Sequence, residues 1–264
     1  MHEITLAQGL ALAGIAFFLG IDFWLEALFL FRPIIVCTLS GFILGDVQIG
    51  LITGGLTELA FAGLTPAGGV QPPNPILAGI MTTVIAHSAG VDPKTAIGLG
   101  LPFSLLMQYI ILFYYSAFSM FMPRVERYAS ENNSAGIQRM GLLMTLIVAV
   151  TYALVVFLCA YSAQGAMQAL VKAMPPWLSH GFEVAGGVLP AVGFGLLLRV
   201  MLKMQYVPYL IAGFLFVCFV QIQNLLPVAV MGAAFALFVY YHSKPEAVAT
   251  PARTPPEEDY SNGI

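Results

Sequence analysis

Long apolar runs alternate along the chain with short polar interruptions, and this pattern divides the chain into candidate membrane spans. A helix needs about 20 apolar residues to cross roughly 30 Å of hydrocarbon. Several runs reach or approach that length. They lie at residues 4–21, 76–90, 95–122, 140–163, 182–198, 206–220 and 225–241. The pattern predicts an all-α integral membrane protein that folds as a polytopic helical bundle.

The segment 33–79 breaks this pattern. Two apolar runs of about a dozen residues flank Asp46, and each is too short to span the bilayer as a helix. A Gly/Pro-rich stretch follows, ending in Gln71-Pro-Pro-Asn74. Broken backbone at membrane depth persists only where it is buried in protein or lines a watery cavity. Short, Gly/Pro-interrupted segments of this kind indicate the binding site of a transporter. We therefore predict a re-entrant binding region at 33–79.

Two acids in this region are candidate binding residues. Glu58 stands inside an apolar run, and an ionisable group at membrane depth is a functional hypothesis by default. The alternative is structural, with Glu58 capping a broken helix or pairing with Arg32. Asp46, Gly50, Gly54 and Glu58 follow one another at intervals of four residues. If this segment formed one continuous helix, both acids would point along one groove.

Polar side chains without charge complete the candidate set. Gln71 and Asn74 carry amides that both donate and accept hydrogen bonds, which suits sugar hydroxyls. The alternative for these two residues is a polar turn at the membrane surface. Thr57 adds a hydroxyl beside Glu58. The predicted substrate-binding residues are thus Asp46, Thr57, Glu58, Gln71 and Asn74.

Composition narrows the function. The chain is 59% hydrophobic and only 9% charged, whereas about a quarter of a soluble domain is charged. Its ten Lys and Arg residues are scattered, which argues against nucleic-acid binding. The sequence has no metal-ligand spacing, phosphate-binding glycine loop or recognisable Ser/His/Asp arrangement. We expect no catalytic residue, metal or cofactor in this chain, so any chemistry must come from a partner.

One polar linker, 123–139, separates a half at 1–122 from a half at 140–242. The acidic, Pro-rich residues 243–264 are predicted to be a disordered cytoplasmic tail. A cytoplasmic linker satisfies the positive-inside rule, because most basic residues then lie on the inner side. These are Arg124, Arg127, Arg139, Arg199, Lys203, Lys244 and Arg253, against Lys94 and Lys172 outside. The side of the N-terminus stays open.

Several motifs resemble the C component of the mannose/fructose/sorbose family of sugar phosphotransferase permeases. They are Phe31-Arg-Pro-Ile-Ile-Val-Cys-Thr-Leu39, Leu44-Gly-Asp46, Gly54-Gly55-x-x-Glu58 and Gln71-Pro-Pro-Asn74. The likeness covers nearly the whole chain apart from the tail. Residues 54–74, 164–174 and 259–264 are most similar to the N-acetylgalactosamine branch.

The resemblance implies a channel subunit for N-acetylgalactosamine, or a related amino sugar or hexose, in the bacterial inner membrane. It implies a channel shared with a D component, related inverted halves, and a trimer of C–D pairs. Cytoplasmic A and B components would relay phosphate to the sugar, so this chain is not an enzyme by itself. Glu58 and the polar groups after it would line the sugar site. Mannose-type members often carry an acid at the position of Asn74, so the loop 70–75 is a candidate for sugar selection.

Two other functions remain open from the sequence. A stand-alone, ion-coupled secondary sugar transporter would use Asp46 or Glu58 to bind a proton or sodium ion. A non-transporting membrane scaffold would use its glycines and acids for packing alone.

Overall fold

The structure is a computed structural model that describes residues 2–62, 72–220 and 226–242. Within these ranges the chain is helical and contains no strand, which confirms the predicted all-α class. It forms two compact units, residues 1–201 and residues 202–264. Gln71 and the tail 243–264 lie outside the described residues.

The first unit contains nine α-helices within the described ranges. They are α1 Leu6–Leu25, α2 Pro33–Leu44, α3 Val47–Phe61, α4 Pro75–Ala89, α5 Pro93–Ser119, α6 Met122–Ser130, α7 Ser134–Phe157, α8 Gln164–Ala173 and α9 Pro176–Met201. A π-helical turn, Leu158–Ser162, extends α7. The second unit has a 3₁₀ turn, Met204–Tyr206, followed by α10 Val207–Val220 and α11 Leu226–His242.

Four of the described helices are long and apolar enough to cross a membrane: α1, α5, the α7 helix with its π turn, and α9. They correspond to the predicted runs 4–21, 95–122, 140–163 and 182–198. Helices α2, α3, α4, α10 and α11 are apolar but shorter. These helices indicate a multi-pass membrane protein.

The helices α2 and α3 form a tight hairpin. They rise about 18 Å and 22 Å, short of the roughly 30 Å of a bilayer core. The reversal occurs at Gly45, which has φ +80°, and Asp46, whose carboxylate accepts a hydrogen bond from the Ile49 amide at 3.0 Å. Close packing depends on glycine, because a β-carbon on Gly41 would lie 2.7 Å from the α-carbon of Gly50.

Helix α4 is the centre of the first unit. It packs against α2, α3 and α5, and thirteen of its fifteen residues are buried. A helix that is apolar all round is stable only when it is enclosed by other elements. Helices α1 and α7 pack along each other beside it, with Gly9 against Tyr161 and Gly20 against Tyr152. Helix α4 is thus enclosed by other helices of the first unit.

The predicted polar linker is largely helical. It contains most of α6 and the start of α7, joined at residues 131–133. Asn133 caps α7 by accepting a hydrogen bond from the Gly136 amide at 2.9 Å, and Arg127 pairs with Glu131 one turn away at 2.8 Å. Capping and pairing between residues four apart stabilise helices in polar sequences.

Candidate functional site

Glu58 lies near the end of α3, where its carboxylate meets the beginning of α2. One carboxylate oxygen forms an ion pair with the Arg32 guanidinium. The other accepts a hydrogen bond from the Ile34 amide at 3.2 Å, which caps the first turn of α2. A negative charge is favourable at a helix N-terminus. This is the structural arrangement that the sequence left open as the alternative to sugar binding.

The ion pair is nevertheless open to a ligand. The side chains of Glu58 and Arg32 are 24% and 39% exposed. A carboxylate has about four lone-pair positions, and a guanidinium has five N–H donors in a fixed fork. The pair therefore retains both acceptors and donors, the two kinds of partner that a sugar hydroxyl needs.

Thr57 points the other way, into the protein. It is fully buried beside the Cys37 thiol of α2. Its hydroxyl has no hydrogen-bond partner among the described residues. Most buried hydroxyls have such a partner. Thr57 is therefore an unsatisfied polar group one residue away from Glu58.

Asn74 is buried, and both the oxygen and the nitrogen of its side-chain amide form hydrogen bonds. Its Oδ1 accepts from the Leu77 amide at 3.0 Å, which caps α4. Its Nδ2 donates to the Tyr152 hydroxyl at 2.5 Å. The Asn74 backbone N–H donates to the Ser104 carbonyl at 3.2 Å, and the Ser104 hydroxyl donates back to the Asn74 carbonyl at 3.0 Å. Asn74 thus fixes the start of α4 between α5 and α7.

Asp46 lies at the opposite end of α3 from Glu58. Asp46 precedes α3 and caps it, and the twelve residues from Asp46 to Glu58 turn the second acid about 120° around the helix axis, so the two acids do not share one face of α3. Its second oxygen lies 3.7 Å from Nδ1 of His87, whose ring stacks on that of His2 at 4.9 Å. Twelve residues of helix separate the acids by about 18 Å, which is more than one sugar ring spans.

Two residues of this region were missed by sequence reasoning as members of a site. Arg32 was considered only as a structural partner of Glu58. No Lys or Arg precedes it in the chain, and a lone basic residue next to an apolar run could have indicated a site. Tyr152 lies 78 residues from Asn74 inside a long apolar run, and no feature of the sequence indicated it. Among the described residues, no three His, Cys, Asp or Glu side chains are grouped as a metal site requires.

Comparisons with known proteins decide the family. The family model described as the PTS system sorbose-specific IIC component matches residues 6–238. The chain belongs to this family. It is 72% identical over the full length of both chains to N-acetylgalactosamine permease IIC component 1 of Escherichia coli K12. It is 26% identical to the mannose-specific EIIC component of that strain, over 99% of each chain.

Solved structures agree with this assignment. A structure described only as a membrane protein superposes with a TM-score of 0.82 at 25% identity, over 91% of this chain and 98% of the other. A chain of the mannose transporter ManYZ, solved by cryo-EM in complex with microcin E492, gives 0.59 at 25% identity, over 93% and 99%. As a IIC component the chain is a transport subunit, and phosphoryl transfer belongs to other components. Group translocation is thus favoured over the ion-coupled transporter.

Proposed function

We propose that this chain translocates N-acetylgalactosamine, or a closely related amino sugar or hexose, across the bacterial inner membrane. The observation that carries the proposal is the 72% identity over the full length to a permease component named for that sugar. The sugar is phosphorylated by partner components as it reaches the cytoplasm. A membrane D component completes the channel, soluble A and B components supply the phosphate, and the complex is a trimer of C–D pairs.

The sugar site that we propose is centred on the Arg32–Glu58 pair. Sugar hydroxyls donate to the free lone pairs of Glu58 and accept from the free N–H groups of Arg32. Thr57, Gln71 and Asn74 stay proposed sugar contacts. Thr57 and Asn74 are buried in this structure, so they can meet the sugar only in a state of the protein that exposes them. One sugar position cannot reach Asp46 as well, so binding at Asp46 requires a second position along the path.

The orientation that we propose follows from contacts at the two ends of the first unit. The Ile4 backbone N–H donates to Oε1 of Gln164 at 2.8 Å, and Nε2 of Gln164 donates to the Ile4 carbonyl at 3.1 Å. Gln164 follows α7 and its π-helical turn. At the other end of α1, Trp24 packs on Tyr115 and Phe118 near the end of α5, close to the basic helix α6. The positive-inside rule favours α6 in the cytoplasm, so the N-terminus is external.

The test is uptake of radiolabelled N-acetylgalactosamine by cells that lack their own permeases and express this chain with its D, B and A partners. We expect intracellular sugar phosphate whose formation requires the phosphorelay and persists with an uncoupler. Mannose and sorbose serve as competing sugars. Free sugar that accumulates without the relay and disappears with the uncoupler would instead support the ion-coupled transporter. Uptake in which mannose competes as well as N-acetylgalactosamine would contradict N-acetylgalactosamine as the preferred sugar.

A further inference from the structure

A small cavity lies at the end of α1, and neither Arg32 nor Glu58 lines it. Its volume is about 120 Å³, and it is lined by Phe23, Trp24, Glu26 and Tyr115. Trp24 stacks on Tyr115 with ring centroids 5.5 Å apart, and the ring of Phe118 meets Trp24 edge-on at 5.7 Å. The wall is therefore a packed aromatic cluster that bridges α1 and α5.

Glu26 gives this cavity a negative charge. It ends α1 in the left-handed conformation, with φ 48°. No Lys or Arg of the described ranges forms an ion pair with it. The last carbonyl groups of α1 add the negative end of the helix dipole. The loop is held in place because Asp22 accepts hydrogen bonds of 2.6 Å from the amides of Leu28 and Leu30.

Aromatic faces beside a carboxylate are the usual surroundings of an organic ammonium group. A cation is attracted to the face of a Trp or Tyr ring within about 6 Å, and a carboxylate accepts its N–H hydrogen bonds. The cavity is smaller than the 300–1,000 Å³ typical of sites for whole small molecules. It is suited to a headgroup rather than to a complete sugar.

The neighbouring surface indicates where that headgroup comes from. Leu25, just before Glu26, is 58% exposed. Leu28 and Phe29, shortly after Glu26, are 70% and 54% exposed. Trp and Tyr are enriched at the level of lipid headgroups, and exposed apolar side chains there contact acyl chains. We propose that Trp24, Glu26 and Tyr115 form a binding site for the ammonium headgroup of a phospholipid such as phosphatidylethanolamine.

The two tryptophans of the chain make the site measurable. The substitution Trp177→Phe leaves Trp24 as the single tryptophan. Because Trp177 is 73% exposed, this substitution removes few packing contacts. The full chain in detergent is titrated with short-chain phosphatidylethanolamine, short-chain phosphatidylglycerol and free phosphoethanolamine. We expect a saturable change in Trp24 fluorescence with the first lipid. Phosphatidylglycerol lacks the ammonium group, so its affinity should be at least about tenfold weaker, the loss expected from one charged hydrogen bond. Phosphoethanolamine keeps the ammonium group but lacks the acyl chains, so it should bind more weakly because their apolar contacts are lost.

Glu26→Gln should weaken the phosphatidylethanolamine response about tenfold, again the effect of one charge-assisted hydrogen bond. Glu126→Gln on α6, another glutamate in the same part of the unit, should leave it unchanged. If Glu26→Gln does not fold, Tyr115→Leu removes one aromatic wall, and native mass spectrometry then counts the retained phosphatidylethanolamine. Equal responses to the two lipids, a parental response in Glu26→Gln or full retention in Tyr115→Leu would overturn the proposal. Equal binding of phosphoethanolamine would overturn a membrane source for the headgroup.

Discussion

Gly41 and Gly50 face each other across the α2–α3 hairpin with no side chain between them. A β-carbon on Gly50 would lie 2.6 Å from the Cys37 carbonyl oxygen and 2.9 Å from the α-carbon of Gly41. These two glycines set the distance between helices that are too short to span the bilayer. The hairpin that they permit positions Glu58 beside Arg32.

Gly50→Ala should destabilise this hairpin. The added methyl group meets backbone rather than a flexible side chain, so the helices must move apart. Overpacking of this kind typically costs about 1–3 kcal/mol. The measurement is the thermal unfolding midpoint of the purified protein in detergent. Gly55→Ala on the same helix is the matched control, because a β-carbon at Gly55 meets no atom of the described residues within 4 Å. Equal losses in the two variants would refute the packing argument.

Glu58→Gln should weaken N-acetylgalactosamine uptake at least about tenfold. In the proposed site it removes the charge that would accept from sugar hydroxyls, and a hydrogen bond to a charged group contributes about 1.5–3 kcal/mol. The protein should still insert into the membrane. The measurement is the apparent affinity for the sugar in the purified complex.

Arg32→Gln tests the other member of this pair, and the apparent affinity rather than stability is the readout that reports sugar binding. It breaks the same ion pair but leaves the Glu58 carboxylate and its hydrogen bond from Ile34 in place. If Glu58 serves only to cap and pair, both variants lower the unfolding midpoint and neither changes the apparent affinity for the sugar. That result would exclude Glu58 from the site.

The apolar runs predicted most of this architecture, because run length and helix length obey the same hydrophobic constraint. The prediction for 95–122 matches α5, Pro93–Ser119, and that for 76–90 matches α4. Side-chain geometry was harder to predict. The four-residue spacing suggested one groove for Asp46 and Glu58, but Asp46 is the N-cap of α3 and twelve residues of helix turn Glu58 about 120° away from it. The contact between Asn74 and Tyr152 depends on how α4 and α7 pack, which periodicity does not encode.

Replacing all four histidines, His2, His87, His180 and His242, should leave phosphate transfer from the B component to sugar largely intact. Two of them lie beside acids: Nδ1 of His180 is 3.4 Å from Glu183 and that of His87 is 3.7 Å from Asp46. These two are therefore the informative positions. Labelled phosphate is followed in the reconstituted complex. A stable phosphohistidine on this subunit would contradict its assignment as a transport subunit.

Asn74→Asp should depress uptake of N-acetylgalactosamine more than uptake of galactosamine or of a plain hexose. A carboxylate at position 74 can still accept from the Leu77 amide, and it can accept from Tyr152 if that hydroxyl turns to donate. It cannot donate to an acetyl carbonyl. A site left with an unpaired buried polar group discriminates strongly between ligands. The measurement is competition for uptake among the three sugars, mutant against parent.

Tyr152→Phe distinguishes sugar selection from a general loss of stability at Asn74. It removes the partner of the Asn74 amide while leaving that amide able to donate. An unsatisfied buried donor costs about 1–3 kcal/mol, so the unfolding midpoint should fall and uptake of all three sugars should fall by one common factor. Asn74→Asp also places a charge at a position that is 1% exposed, and this too reduces all uptake together. Only the ratio of uptake among the three sugars therefore tests whether Asn74 selects the sugar. If Asn74→Asp lowers all three by the same factor, Asn74 serves only to hold α4, and sugar choice lies elsewhere.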